Sequence, residues 1–555
     1  MKKAFLIALL CLASIFVLAL VSCGGGDDTT TAAPETEPPS PTEGLVALTS
    51  EGESVYRVVI PSDWRDTMVT DTVELLASRV AEDTGAALTV SYDTSAVAER
   101  EIIVGLTSRE DGAAEAKELA PRDWLIKVAD DRIYILGGTM YSTCLALDAF
   151  MEELFLWEGE LYVGEDCYLD FIYERDNTED VYGTLDEKLA QFGDPNGRLM
   201  VTSHRAENVN NPENSLSAIA AAVALGADIL ELDVTKTKDG HYVLMHDSTL
   251  TRTTNVAQFA GKNGYPSSHN VSDWTLEQIR ALTLNGSKFN ETVPTLEEAL
   301  ILVRGRAIFD FDKTTSEADR LAVYRIAVKL RAVDSVMYQG GSLSHNVMKT
   351  IYAETGIALP YLYNAGTFSD ARSYILNTYK DVEYARQAIQ ITTSVPPSYA
   401  LELAETCRLW MNTLGWSSDP TGPEVHADNP TSWKRLFDGG ISVIQTDQPY
   451  KLLSYVQNRE SGSGVEWTLT YSTEPVKWES RASLLFNCSR AGDIYYTTDG
   501  SEPIAEGDPL KGNILIDDTA TVKVLFVAAD GSEYRFDVNV LAGCQEFYDL
   551  IGITE

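Results

Sequence analysis

Strand-like and helix-like stretches alternate eight times along the middle of this 555-residue chain, from about Arg198 to Val456. The strand candidates are LMVTSH, DILELDV, AIFDFD, SVMYQG, LPYLYN, AIQITT, RLWMN and SVIQTD, and apolar helical stretches separate several of them. Regular βα alternation predicts a parallel sheet, and eight repeats predict an α/β fold whose sheet closes into a TIM (β/α)8 barrel. Right-handed crossovers then place the C-terminal ends of all strands on one face.

The sequence changes character on both sides of the barrel, which is placed at residues 190–457. Residues 46–174 contain the strand candidates VYRVVIP, EREIIVG and DRIYILGG and two amphipathic helices, the first closed by Gly85, which predicts a small α/β domain. The pair Gly137-Gly138 indicates a turn, because no Gly-x-Gly-x-x-Gly pattern follows it. Residues 463–545 hold short strands and turns, which is typical of a small β-sandwich.

The first 22 residues have the pattern of a secretory leader, with Lys2 and Lys3 before the apolar run AFLIALLCLASIFVLALV. The ending LVSC resembles a bacterial lipobox. That resemblance implies a lipoprotein that is lipidated at Cys23 and anchored to the outer face of the cell membrane. A plain signal peptide with a chance cysteine, or an uncleaved anchor, is the alternative. Residues 23–45, rich in Gly, Thr and Pro, predict a flexible linker.

The formal net charge of −40 narrows the classes of function. A field of this sign repels nucleic acid and argues against polyanion binding, while it concentrates cations around any metal site. The cysteines indicate no zinc site, because none of them has the CxxC spacing. Cys488 and Cys544 are a candidate disulfide pair in the C-terminal region.

Paired carboxylates mark two neighbouring strands of the barrel. Glu231 and Asp233 are two residues apart on the second strand, and Asp310 and Asp312 have the same spacing on the third. Strand alternation points the members of each pair to one face. Like charges that share a buried face are costly unless a cation lies between them. An all-oxygen site of this kind suits one hard divalent cation, Ca²⁺ or Mg²⁺.

Basic side chains lie near the same strand ends. His204 and Arg205 end the first strand, His246 follows a short strand at LMHD, and Lys313 follows the third strand. Around a metal ion these groups fit in-line attack on a phosphodiester, because one imidazole takes a proton, the other gives one, and the cations neutralise the anionic transition state. His241 belongs to a turn and is expected on the surface.

These residues fall within SHRAENVNNPENS, GADILELDVTKTKDGHYVLMHD and LTRTTN, which VPTLEEAL and IQTDQP follow. In order and spacing the strings resemble the signature of the glycerophosphodiester phosphodiesterase family. The resemblance implies that His204 and His246 are the catalytic acid and base and that Arg205 binds the phosphate. It further implies that Glu231 and Asp233 are metal ligands.

The resemblance leaves the third acidic ligand open. Either Asp310 takes the position of a family glutamate and Asp312 displaces a lysine, or Asp312 coordinates the metal and Lys313 contacts the phosphate. On the seventh strand, Trp410 and Asn412 correspond to a tryptophan and an asparagine that lie near the substrate in family members. Packing is an equal interpretation for the tryptophan.

The loop after the first strand carries three further expectations. Asn211 and Pro212 predict the N-cap and first residue of the next helix. Glu213 then either orients His204 or acts as a favourable carboxylate at that helix N-terminus. Ala206 stands where the family has glycine. Because alanine adopts positive φ only at a cost, the turn is expected to differ slightly.

The flanking regions also resemble known modules. REIIVGLTSR and IYILGG are similar to the small α/β domain before the barrels of α-glucuronidases and β-hexosaminidases. YYTTDGSEP is similar to the β-sandwich appended to chitobiases. These modules suggest cell-wall glycan or teichoic acid as a further partner.

The barrel resemblance implies a metal-dependent phosphodiesterase that hydrolyses glycerophosphodiesters to sn-glycerol 3-phosphate and an alcohol through a cyclic phosphate. One alternative is a related phosphodiesterase acting on phosphatidylinositol, sphingomyelin or the glycerophosphate of teichoic acid. A second alternative, of another class, is a surface glycan-binding protein with an inactive barrel.

Overall fold

The structure is a computed structural model. It describes residues 42–109, 116–129, 131–171, 184–287, 290–314, 316–340, 344–365, 367–378, 382–391, 397–414, 427–471, 482–516 and 520–540. Residues 1–46 and 47–555 form separate units, and the account below concerns the second. The leader and Cys23 lie outside the described residues. Among the described residues, no helix is long and apolar enough to cross a membrane.

The first folded region of this unit is a mixed six-stranded sheet with two helices. Its strands, in spatial order, are Tyr168–Phe171, Trp124–Ala129, Arg132–Gly137, Glu101–Val104, Arg57–Ile60 and Thr89–Tyr92. The helices are Met68–Thr84 and Met140–Glu153. A small hairpin, Phe155–Trp157 and Glu160–Gly164, and the short strands Thr49–Ser50 and Glu53–Ser54 complete it. This is the small α/β fold predicted from the alternating pattern.

Two glycine predictions for this region are confirmed. Gly85 ends the first helix in the left-handed conformation, with φ +76°, which favours glycine. Gly137 and Gly138 form a tight connection from a strand to the second helix. A Cβ on Gly138 would lie 2.0 Å from the carbonyl oxygen of Ala120, so close backbone approach explains the glycine.

Eight parallel strands close into the predicted barrel, because the first strand pairs with both the second and the eighth. The strands are β1 Met200–His204, β2 Ile229–Lys236, β3 Ile308–Asp312, β4 Val336–Gly340, β5 Leu359–Ala365, β6 Ala385–Ile391, β7 Arg408–Asn412 and β8 Val443–Thr446. Each matches one of the eight strand candidates. The register sets Glu231 beside Asp310 and Asp233 beside Asp312.

Helices and one insertion connect these strands. The helices are Leu216–Ala224, Leu276–Arg280, Leu296–Val303, Glu317–Lys329, Ser344–Thr355, Phe368–Asn377, Pro397–Ala404, Pro430–Asp438 and Pro449–Ser461. The insertion follows β2. It begins with the strand Tyr242–Leu244, which pairs antiparallel with β2, and it has an apolar core around Trp274.

The helix Leu185–Phe192 closes the N-terminal end of the barrel. Its residues Leu185, Leu189 and Phe192 pack against a layer of interior side chains that includes Trp410. At the same end of the barrel, the buried guanidinium of Arg408 donates to the backbone carbonyls of Asp194 and Arg198. Burial lowers the pKa of Arg408 to about 10. The barrel is thus a packed core with one closed end, and its C-terminal end remains for the site.

The predicted start of the helix after β1 is wrong. The helix begins at Leu216, and its N-cap is Ser215, whose side chain accepts a hydrogen bond from the backbone N–H of Ala218. Asn214 has φ +57°, which no helical residue adopts. Asn211 and Pro212 therefore belong to a loop that precedes the cap.

The C-terminal region consists of two three-stranded antiparallel sheets, as the β-sandwich prediction requires. One contains Val465–Tyr471, Ala482–Cys488 and Asn513–Ile516, and the other contains Gly492–Thr497, Ala520–Ala528 and Glu533–Val540. Cys544, the suggested partner of Cys488, lies outside the described residues.

Candidate active site

A cluster of carboxylates occupies the C-terminal end of β2 and β3. One oxygen each from Glu231, Asp233 and Asp312 lies within 4.8 Å of the others. Asp310 lies two residues before Asp312 on β3, deeper in the barrel, and accepts a hydrogen bond from Gln339 at 3.4 Å. Of the two alternatives for the third acidic ligand, the geometry brings Asp312 into the cluster.

The electrostatics of this cluster fit a divalent cation. Burial raises the pKa of Glu231 well above its usual value, and the neighbouring carboxylates Asp233, Asp312 and Asp310 raise it further. Among the described residues, Asp233 Oδ1 and Asp310 Oδ1 have no hydrogen-bond partner. Buried carboxylate oxygens without donors are costly. A hard cation with oxygen ligands would satisfy them, so the donor set suits Ca²⁺ or Mg²⁺.

Strained backbone surrounds the cluster. Arg205, Ala206 and Asn214 after β1, and Lys313 after β3, have φ between +51° and +62°. Such angles cost non-glycine residues roughly 1–2 kcal/mol each. The turn at Ala206 therefore keeps the conformation that favours glycine, although an alanine occupies it. Lys313 Nζ lies 3.6 Å from Asp312 Oδ2, beside the cluster.

His204 lies between the cluster and β8. Its Nδ1 is 2.7 Å from Asp447 Oδ1, and its Nε2 is 3.8 Å from Glu231 Oε2. Burial acts to raise the pKa of Asp447, but hydrogen bonds from His204 and Asn208 outweigh it and hold the pKa below its usual value. An ionised Asp447 accepts a hydrogen bond from Nδ1–H, which leaves Nε2 to face the site.

Asp428 fixes the turn that carries Asp447. Its Oδ2 accepts the backbone N–H of Asp447 at 2.8 Å. Its Oδ1 accepts from Thr413 at 2.8 Å, Thr446 at 2.6 Å and Trp433 at 3.0 Å. Neither aspartate has a role predicted from the sequence. The available signal was the position of Asp447 at the end of the eighth strand, which a closed barrel places beside the first.

His246 has a carboxylate partner of its own. Its Nδ1 lies 2.8 Å from Oδ1 of the adjacent Asp247, and Asp247 in turn accepts from Arg252 at 2.7 and 3.0 Å. The hydrogen bond from Arg252 is the largest cause that holds the pKa of Asp247 below its usual value. Neither Asp247 nor Arg252 is predicted from the sequence as a site residue.

Arg205 and Glu213 lie together beside the cluster. Arg205 donates its backbone N–H to Glu231 at 3.1 Å and its Nη1 to Glu213 at 3.2 Å, and its Nε lies 3.5 Å from Asp233. Both expectations for Glu213 fail. Asp447, not Glu213, contacts the His204 ring, and the helix begins beyond Glu213.

Several other predicted positions lie apart from the cluster. Trp410 is fully buried in the barrel core and donates its Nε1 to Asn412 Oδ1 at 2.8 Å. That geometry gives the tryptophan the packing role and leaves Asn412 at the end of β7. His241 is exposed in its turn. His345, which has no role predicted from the sequence, is buried among tyrosines, with its Nδ1 2.7 Å from the Tyr384 hydroxyl.

Glu207, in the loop after β1, is a buried acid with no role predicted from the sequence. It is fully buried, and its carboxylate accepts hydrogen bonds from the side chains of Asn210 and Asn211 at 3.1 and 2.7 Å. Burial raises the pKa of Glu207 to about 7, although these bonds act to lower it. The folded protein therefore favours the neutral form of this carboxyl.

Glu207→Gln is expected to change how stability depends on pH. Because the folded pKa exceeds the unfolded value, the contribution of Glu207 is fully present below about pH 4.5 and is lost as pH rises through about 7. In thermal or urea unfolding, the stability of the variant relative to wild type should therefore increase between pH 5 and 8, by up to about 3 kcal/mol. Glu277→Gln, at an exposed position, serves as control. A constant difference across this range would contradict the prediction.

Comparison with known proteins agrees with this geometry. Residues 204–351 match the family model of the glycerophosphoryl diester phosphodiesterase family. Residues 476–536 match that of the chitobiase/beta-hexosaminidase C-terminal domain. The first match contains both predicted histidines and all four carboxylates of the β2 and β3 pairs.

Curated relatives match the same part of the chain. A glycerophosphodiester phosphodiesterase of Caldanaerobacter subterraneus subsp. tengcongensis is 43% identical over 110 residues, which are 19% of this chain and 41% of that protein. Glycerophosphodiester phosphodiesterase 1 of Bos taurus is 39% identical over 112 residues, 19% of this chain and 30% of that protein. The chain thus spans less than half the length of these relatives.

Among solved structures, a glycerophosphoryl diester phosphodiesterase from Parabacteroides distasonis aligns with a TM-score of 0.39 and 21% identity, covering 52% of this chain and 94% of that one. An Oleispira antarctica phosphodiesterase in complex with the product sn-glycerol-3-phosphate aligns with a TM-score of 0.35 and 18% identity, covering 47% and 97%. From the motifs, the closed barrel and the matched residues together, the chain contains a domain of the glycerophosphoryl diester phosphodiesterase family, followed by a chitobiase/beta-hexosaminidase C-terminal domain.

Proposed function

We propose that the barrel is a metal-dependent phosphodiesterase that hydrolyses glycerophosphodiesters to sn-glycerol 3-phosphate and an alcohol. One observation carries the proposal. A cluster of carboxylates suited to a cation stands among two histidines, each bonded through Nδ1 to its own aspartate, and an arginine. The family match and the names of the relatives support the same activity.

The two histidines supply the proton transfers in this proposal. With Nδ1–H bonded to an aspartate, the neutral ring of one histidine accepts the proton of the substrate's 2-hydroxyl at Nε2 as that oxygen attacks phosphorus. The other, protonated histidine gives its Nε2 proton to the departing alkoxide. In the second step water opens the cyclic phosphate and the two rings exchange roles. Arg205 and Lys313 bind the phosphate oxygens through their charges.

The carboxylates Glu231, Asp233 and Asp312 would hold the cation. A bound Ca²⁺ or Mg²⁺ would neutralise charge that develops on the phosphate oxygens. Arg205 donates its backbone N–H to Glu231, and Asn214 donates its side chain to Asp233 Oδ2 at 2.8 Å. These two bonds orient the carboxylates.

The test uses the full chain and measures release of sn-glycerol 3-phosphate. A panel of glycerophosphodiesters that differ in the alcohol is assayed with Ca²⁺, with Mg²⁺ and with EDTA. Turnover that EDTA abolishes and one of the ions restores is expected. If no substrate is turned over with either ion, the proposal is contradicted, and a glycan-binding protein with an inactive barrel is favoured instead.

A glycerophosphate polymer and phospholipids belong in the same panel. The match of residues 476–536 to the chitobiase/beta-hexosaminidase C-terminal domain favours a polymeric or glycan-linked substrate. Faster turnover of the polymer than of the small diesters would identify teichoic-acid-type glycerophosphate as the substrate.

We further propose that the protein is a lipoprotein anchored to the outer face of the cell membrane through Cys23. Support comes from the LVSC string at the end of the apolar leader, which resembles a lipobox. Acyl chains on Cys23 would hold the protein on the membrane, because each buried CH₂ contributes about 0.8 kcal/mol. Cys23→Ser is expected to leave an uncleaved precursor in cells. Mass spectrometry of the N-terminal peptide and membrane fractionation check this. A soluble wild-type protein with an unmodified N-terminus would overturn the anchor.

A further inference from the structure

Arg252 lies in the insertion after β2, and its guanidinium holds two carboxylates at once. Nε and Nη2 donate to the two oxygens of Asp247 at 2.7 and 3.0 Å. Nη1 and Nη2 donate to the two oxygens of Glu213 at 2.6 and 2.7 Å. Both pairs are bidentate, which fixes the plane of each carboxylate as well as its position.

These carboxylates lead to different parts of the site. Asp247 Oδ1 lies 2.8 Å from His246 Nδ1. Glu213 Oε2 accepts from Arg205 Nη1 at 3.2 Å. A continuous chain of charged hydrogen bonds therefore runs from the histidine to the arginine beside the carboxylate cluster, through Asp247, Arg252 and Glu213.

Arg252 also holds both carboxylates in their ionised form. Its hydrogen bond is the largest cause of the lowered pKa of Asp247. Burial acts to raise the pKa of Glu213, but the bonds from Arg252 and the charge of Arg205 outweigh it and lower the pKa. An ionised carboxylate only accepts hydrogen bonds. Each partner ring or guanidinium must therefore present a donor toward it.

We propose that Arg252 is a positioning residue that sets the orientation of the His246 ring and of the Arg205 guanidinium together, so that the acid–base group and the phosphate-binding group act on one substrate. This inference rests on the proposed phosphodiesterase function. Without Arg252, the Asp247 carboxylate keeps its bond to His246 but loses the two bonds that fix its plane, and the Glu213 carboxylate loses two of its donors.

The other histidine shows what Arg252 adds. Asp447, the partner of His204, is held by the Asn208 amide at 2.9 Å and, through its backbone N–H, by Asp428 at 2.8 Å. Among the residues that the structure describes, no arginine or lysine donates to the Asp447 side chain, so this histidine–aspartate pair is held without a direct bond from such a group. The distinctive property of Arg252 is its connection to Glu213 and so to the phosphate-binding arginine.

Arg252→Gln is expected to lower kcat about 10–100-fold, the scale for residues that orient a functional group, and to raise KM because the position of Arg205 relaxes. Arg252→Lys keeps the charge but lacks the planar fork, so it should recover little of this loss. Full recovery with lysine would overturn the proposal, because charge alone would then suffice.

A double-mutant cycle tests whether Arg252 acts through Asp247. In the Asp247→Asn background, Arg252→Gln should lower kcat much less than it does alone, because residues that act through one another are not additive. Fully additive effects would contradict the proposal. Arg280→Gln is the matched control. Arg280 lies in the same insertion and donates to both oxygens of Glu298 at 2.8 Å, so kcat and KM should stay unchanged.

A measurement independent of turnover separates this inference from the proposed function. In ¹⁵N-histidine-labelled full-length protein, the His246 Nδ1–H signal, assigned by its loss in His246→Ala, should shift or broaden in Arg252→Gln and stay unchanged in Arg280→Gln. If the wild type turns over no glycerophosphodiester, the proposed function is contradicted. The spectrum still tests whether Arg252 positions the His246 ring. An unchanged His246 signal in Arg252→Gln would overturn the positioning role.

Discussion

Alanine at either His204 or His246 is expected to lower kcat by about 10²–10⁴-fold, the usual scale for the loss of a general acid or base. Each ring is bonded through Nδ1 to an aspartate, at 2.7 Å for His204 and 2.8 Å for His246. That bond leaves Nε2 to exchange a proton with substrate. Steady-state kinetics on the best substrate of the panel, with saturating metal, measures the effect.

The double variant should lose less than the product of the two single losses, because groups that act as a unit are not additive. His241→Ala is the control, since His241 is exposed in a turn of the same segment. Circular dichroism and thermal unfolding verify that each variant is folded. A large loss at His241 with none at His246 would show that the assignment of this segment is wrong.

Glu231→Gln combined with Asp233→Asn is expected to abolish turnover and metal binding while the fold remains. Burial and repulsion from the neighbouring carboxylates raise the pKa of Glu231. The metal-free wild type is therefore destabilised by placing these carboxylates close together. The neutral variant should therefore unfold at a temperature no lower than that of the wild type in EDTA. Addition of Ca²⁺ or Mg²⁺ should raise the melting temperature of wild type alone.

A matched control exists in the C-terminal domain. Glu506 and Asp508 have the same spacing as Glu231 and Asp233, and both are exposed. Glu506→Gln combined with Asp508→Asn removes the same formal charge and should leave turnover and the metal-dependent shift of the melting temperature intact. Near-normal activity of the Glu231/Asp233 variant without added metal would show that the cation site is wrongly placed.

The sequence by itself determined the architecture of the barrel and the strand ends at which the paired carboxylates lie. Local patterns were sufficient for the eight strands of the barrel, because apolar runs and helical periodicity report burial directly. The two-residue spacing of Glu231 and Asp233 was enough to place both carboxylates at one strand end, since side chains alternate along a strand. Gly85 and the Gly137-Gly138 turn were likewise local, because backbone conformation and close approach select glycine.

The start of the helix after β1 was locally ambiguous. Asn211-Pro212 and Ser215 are both good cap signals, and sequence spacing alone favoured the first. The structure uses Ser215 because Asn214 must turn back to bond Asp233, with its side chain donating at 2.8 Å and accepting from the backbone N–H at 3.1 Å. A contact across 19 residues thus outweighed a local propensity.

Only the tertiary structure decided which side chains complete the site. Asp447 stands 243 residues from His204, and barrel closure brings them together by pairing β8 with β1. The register of β3 against β2 sets Asp310 beside Glu231 and Asp312 beside Asp233. Of these two aspartates, Asp312 has an oxygen within 4.8 Å of oxygens of both Glu231 and Asp233. Arg252 contacts Glu213 because the insertion folds back onto the loop after β1. Strand order, register and loop packing arise from long-range contacts, which no local pattern of residues encodes.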